Sequence, residues 1–176
     1  MKSSRNACIF LLVAASLPAW AHGPSLAMAG FAAGFGHPFT GLDHLAAMIA
    51  VGAWATAFDR GAWKLPAAFL AAMSAGAAFG LQGNGLPGVE YGIAASVIVS
   101  GVLAATQWRF SLPAAAAVAA LFGLFHGHAH GTELPAGADG LLFGLGFVAA
   151  TACLHAVGLA VGQARRRPRS QLAIES

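Results

Sequence analysis

Three histidines stand at alternate positions in "FHGHAHGTELP" (residues 125–135), with Glu133 three residues after the last of them. The stretch leading into them, "PAAAAVAALFGLFHG", is apolar enough to lie in a membrane. On a helix His126 and His130 fall one turn apart on one face with Glu133 beside them, while His128 points the other way. Two imidazoles at i and i+4 with a carboxylate are a usual ligand set for a divalent transition metal. Plain polarity at a helix end would use the same residues. A second group lies in "HPFTGLDH" (37–44), where His37 and His44 flank an interruption and Asp43 adjoins His44. Pro38 has no N–H and disfavours helix at His37; a helix broken there releases backbone carbonyls as further ligands. Glu90 opens another apolar stretch, where capping by the helix dipole and attraction of a cation both account for it.

Ionisable groups inside a bilayer cost about 2.5–3.5 kcal/mol each, so these residues default to functional candidates. His22, His128 and His155 are weaker members. His128 and Asp139 read as interfacial polarity. His155, alone in the inner half of the last apolar stretch, reads first as a hydrogen-bonded core residue and only second as a ligand. Met48, Met73 and the phenylalanines read as packing.

The elements that hold these side chains must be membrane helices. Of the 176 residues 58% are hydrophobic and 9% charged, whereas a soluble domain carries about 25% charged residues. So few charges cannot cover a water-facing surface, and lipid must solvate much of the chain. The net charge of +3 comes largely from "ARRRPRS" near the C-terminus. Such a run beside an apolar segment is a topology anchor rather than a nucleic-acid patch. At the other end, "MKSSRNACIFLLVAASLPAWAHG" has the basic start, apolar centre and Ala19-Trp20-Ala21 site of an export signal, so residues 1–21 are expected to be removed and the mature chain to begin at His22. Cys8 would leave with the signal, and Cys153 alone forms no intramolecular disulfide.

Apolar stretches at about 64–82, 89–107, 112–130 and 138–162 each approach the roughly 20 residues that span a bilayer. Gly and Ala dominate them, as close helix approach in lipid requires. Pro24 to Phe58 is too long for one crossing and tight for two. If 24–36 stops partway and 41–58 crosses, then Arg60, Lys64, Arg109, Arg165, Arg166, Arg167 and Arg169 all fall on the cytoplasmic side, as the positive-inside tendency favours. The expected fold class is therefore all-α, a polytopic transmembrane helix bundle with a broken first helix near residues 24–40. Residues 22–164 form the membrane domain and 165–176 a basic cytoplasmic tail. The histidines and carboxylates then gather at the exterior ends, with His155 deeper.

"HPFTGLDH", "GVEYGIAASV" (88–97) and "FHGHAHGTELP" together resemble the HupE/UreJ family of bacterial nickel permeases, in order and over nearly the whole mature chain. The resemblance implies an inner-membrane protein importing Ni2+, with Co2+ as the second candidate, for hydrogenase or urease maturation. It implies metal-handling roles for His37, Asp43, His44, Glu90, His126, His130 and Glu133, and a functional link to nickel-enzyme maturation proteins. The family is usually drawn with six segments, a number reached here only by counting the signal or the half-helix. No prosthetic group is expected, and the partners are the metal ion and the bilayer, with no nucleic acid; homo-oligomerisation stays open. No Walker-type G-x-x-x-x-G-K-[ST] stretch occurs, so the chain is not expected to hydrolyse nucleotide, and as a permease it is not expected to be an enzyme. The alternative is an intramembrane zinc hydrolase, which the same residue types would serve; the sequence offers it no additional acid/base set.

Overall fold

The computed structural model describes residues 28–134 and 139–166. The expected signal, His22, Arg167 and Arg169 lie outside them. Every regular element among the described residues is helical: α1 (Met28–Gly36), a single 3₁₀ turn (His37–Phe39), α2 (Leu42–Ala55), α3 (Lys64–Leu81), α4 (Val89–Thr106), α5 (Leu112–Thr132) and α6 (Gly140–Arg166). Helices α3 to α6 are each long and apolar enough to cross a membrane. Their outward surfaces are apolar as well: Ile98, Val102, Leu141 and Leu145 are all more than half exposed. A water-facing protein does not present such surface on this scale.

The expected break falls where Pro38 puts it. Helix α1 ends at Gly36, the 3₁₀ turn follows with Pro at its start, and α2 begins after Gly41 in extended conformation (φ −105°, ψ 117°). Helix α2 has 14 residues, about 21 Å of rise against a hydrocarbon core of about 30 Å. It is shorter than the 41–58 crossing that hydropathy suggests. It makes up the height because α1 lies along the first half of α6 and α2 along the second. Gly146 faces Phe31 and Phe35 of α1, whereas Gly158 faces Ile49 and Ala53 of α2. The two pieces thus form one discontinuous segment running beside α6.

Helix α2 is the central element, packed on α3, α4 and α6. Met48, Val51, Trp54 and Ala55 are fully buried and meet Leu65, Phe69 and Met73 of α3 in the core. Helices α3 and α5 approach most closely. Gly123, Gly127 and Gly131, four residues apart, face the backbone of Phe69, Met73 and Ala77, so that a Cβ on any of them would overlap a carbonyl. Lipid supplies no hydrophobic force between helices, so contact at backbone distance is what holds the pair.

Arg60, Lys64, Arg109, Arg165 and Arg166 all lie at one end of the bundle, at the α2–α3 and α4–α5 junctions and the end of α6. Asp59 binds two of them there: Arg166 donates to its Oδ1 at 2.7 Å and Arg109 to its Oδ2 at 3.4 Å. The same guanidiniums donate to the carbonyls of Thr56 and Ala57 at the end of α2. The Arg166 hydrogen bond and charge, with Arg109 adding less, hold the Asp59 carboxyl below the usual carboxylate range. Gln107, left-handed at φ 53°, donates its amide to the carbonyls of Ala104 and Ala53, which ties α4 to α2 at this end.

Candidate metal centre

The opposite end carries the histidines. An open cavity of about 250 Å³ is lined by His37, Thr40, Gly41, Asp43, His44, His130 and Glu133. Its carboxylates face outward and its imidazoles inward: the side chains of Glu133 and Asp43 are 62% and 49% exposed, those of His44 and His130 only 11% and 5%. His37 is half-buried at the break, its Nε2 3.6 Å from Glu133 Oε2, and His130 Nδ1 is 3.8 Å from the same oxygen. One donor atom from each of His37, His130 and Glu133 lies within 4.8 Å of the others. Ligands around a single metal with bonds of about 2.0–2.1 Å sit about 3–3.5 Å apart. The three donors thus lie up to about 1–2 Å wider apart than ligands around a bound ion would.

The rings continue inward from this group. His37 lies 4.7 Å from His130, His130 lies 4.1 Å from His44, and His44 lies 4.6 Å from His126, centroid to centroid. Neighbouring groups set the tautomer of two members. Asp43 Oδ1 lies 3.0 Å from His44 Nδ1 and accepts a hydrogen bond from it, leaving the buried Nε2 without a hydrogen-bond partner among the described residues. That is the carboxylate–imidazole pairing that orients a metal-binding histidine. Gly41 makes room for the pair, since a Cβ there would meet Asp43 Oδ1 at 2.8 Å and His44 Nδ1 at 3.0 Å. For His126 the orienting group is Ser96 of α4. The Ser96 hydroxyl donates to the carbonyl of Ile93, so it accepts from His126 Nε2 at 2.7 Å and leaves Nδ1 unpaired. Neither nitrogen of His130 has a hydrogen-bond partner among the described residues.

Six of the seven principal candidates therefore come together: His37, Asp43, His44, His126, His130 and Glu133. Glu90 does not join them. It is exposed in the first turn of α4 and makes no hydrogen bond or ion pair among the described residues. His128 is buried rather than interfacial, and its Nε2 donates to the carbonyl of Asn84 at 2.7 Å, away from the cluster. His128→Ala is accordingly expected to keep metal uptake within about twofold while lowering thermal stability, by about 1–3 kcal/mol for the lost hydrogen bond and contacts. Paired uptake and melting measurements check this; uptake lost as fully as in a His130 variant would overturn the division of faces. Asp139 caps α6, accepting from the backbone N–H groups of Leu141 and Leu142. Among the described residues His155 is not the hydrogen-bonded core residue that its setting suggests, for neither of its nitrogens has a partner there.

Three positioning residues carried no signal of their own in the sequence. Ser96 is one hydroxyl in an apolar run. Phe147 packs on His130 at 4.2 Å, and Phe69 lies 5.7 Å from His126. Both phenylalanines are buried, and each is indistinguishable in sequence from the packing aromatics around it.

A broken first helix and four long apolar helices define a multi-pass membrane protein, and its imidazoles behind carboxylates form a group that could hold a metal ion. The chain belongs to the HupE / UreJ protein family, whose model matches residues 10–174. It is 42% identical over 156 residues to Protein HupE of Rhizobium leguminosarum bv. viciae, covering 88% of this chain and 82% of that one. No solved structure matches the chain.

Proposed function

We propose that the protein is a permease that carries a divalent transition-metal cation, nickel first and cobalt second, across the inner membrane toward hydrogenase or urease maturation. The observation that carries this is the graded row of ligands, from exposed Glu133 and Asp43 through partly buried His37 and His44 to buried His130 and His126. Exposed carboxylates attract the hydrated cation, with Glu90 adding negative potential at the same end. Imidazoles then replace part of its water. Several imidazoles at similar distances suit transient holding, because a transport site must release what it binds. Imidazole with carboxylate suits nickel, cobalt and zinc alike, and family membership favours nickel.

In this proposal the basic end faces the cytoplasm and the histidine cavity faces out. Membrane potential then suffices as the driving force. Two charges moving inward gain about 4.6 kcal/mol per 100 mV, roughly three decades of accumulation. Purified protein in liposomes with an inside-negative potassium diffusion potential is expected to accumulate radiolabelled Ni2+ without ATP, in proportion to the imposed potential. Metal bound stoichiometrically but never delivered to the lumen would refute transport and return weight to the zinc-hydrolase alternative.

A further inference from the structure

His155 lies on α6, one bundle layer inward of the cluster, and is 1% exposed. Its ring and that of Phe69 are nearly perpendicular with centroids 5.0 Å apart, and Phe69 in turn lies 5.7 Å from His126. Neither ring nitrogen has a hydrogen-bond partner among the described residues. An imidazole always presents one N–H donor or more, and leaving such a group unpaired in an apolar interior costs about 1–3 kcal/mol. Leucine or phenylalanine would fill the same volume without that cost, so packing does not account for histidine here. The backbone holds the residue firmly in place. Gly52 of α2 sits so close to the His155 carbonyl that a Cβ would overlap it, and Gly158 meets Ile49 in the same way. One turn before it, Thr151 is fully buried and directs its hydroxyl to the sulfur of Met73 at 3.8 Å.

We infer that His155 is a second, inner station for the cation, a single imidazole reached from His126 past the ring of Phe69. Phe69 neighbours both stations, with ring centroids 5.7 Å from His126 and 5.0 Å from His155, and an aromatic ring can lower the cost of a cation passing beside it. The outer cluster captures the ion, and His155 takes it over so that no step strands a dehydrated charge among apolar side chains. The inference rests on the transport reading above and adds a residue that lies outside all three motifs of the sequence.

The test compares His155→Leu and His155→Met with the unaltered protein in the same liposomes, using radiolabelled Ni2+. Calorimetric Ni2+ binding to each purified protein reports the outer cluster separately. Both variants are expected to bind Ni2+ as the unaltered protein does, which also shows that they are folded. His155→Leu should take up Ni2+ roughly tenfold more slowly, and His155→Met, whose thioether can still ligate, should recover to within about threefold. Uptake by His155→Leu at the unaltered rate, or equal slowing in Leu and Met variants, overturns the inner station alone. Unaltered protein that takes up no Ni2+ overturns the transport reading and the inner station with it.

Discussion

Replacing His130 by alanine is expected to abolish metal uptake, by at least about a hundredfold, while leaving the protein inserted and folded. His130 is the residue on which the cluster converges. Its ring contacts His37, His44 and Phe147 at 4.1–4.7 Å, and its Nδ1 lies 3.8 Å from Glu133. Loss of a group that merely orients a ligand already costs 10–100-fold, so loss of the shared ligand itself should cost more. The stability effect should be modest, because the packing lost with the ring is offset by removing two buried nitrogens that have no hydrogen-bond partner among the described residues. Ni2+ uptake and melting temperature measured on one preparation separate the two effects. Half or more of the uptake surviving would remove His130 from the path. A large fall in melting temperature would make its role structural.

Gly127→Val should prevent the bundle from assembling. A Cβ at this position overlaps the carbonyl of Met73 on α3, with Gly123 and Gly131 equally tight one turn to either side. The obstacle is backbone, which cannot rotate away, so the two helices must separate along their length. Overpacking in an adaptable core costs about 1–3 kcal/mol, and a rigid glycine seam should exceed that range. Gly101 in α4 is the matched control, since a Cβ there meets nothing within 4 Å. Gly101→Ala should be neutral or stabilising by up to about 1 kcal/mol through helix propensity. Detergent-resistant folded protein, followed by size-exclusion profile and thermal melt, should be lost in the first variant and kept in the second. A well-folded Gly127→Val would mean that α3 and α5 pack less closely than described.

Much of this architecture could be read without coordinates because its signals are local. Four spans were legible to within a few residues, since a bilayer demands an uninterrupted apolar run of known length. Pro38 announced the break through its missing N–H. The shared face of His126 and His130, and the opposite direction of His128, follow from helical periodicity alone. Even the gathering of basic residues at one end could be anticipated from their spacing between spans.

What the sequence by itself determined, then, is an all-helical membrane bundle, its broken first segment, and the pool of residues able to ligate a metal. Tertiary structure decided which of the pool meet. Glu90 carries as strong a sequence signal as Glu133, yet only Glu133 lies beside His37 and His130. His155 promised a hydrogen-bonded core residue and has no partner among the described residues, while Ser96, Phe69 and Phe147 turned out to pack on or hydrogen-bond the imidazoles. The physical reason lies in the solvent. A helix in lipid is apolar toward its neighbours and toward the bilayer alike, so its sequence carries almost no record of which face turns inward. That choice is made by backbone contacts between helices distant in the chain, such as Gly127 against Met73, and it exists only once the bundle has assembled.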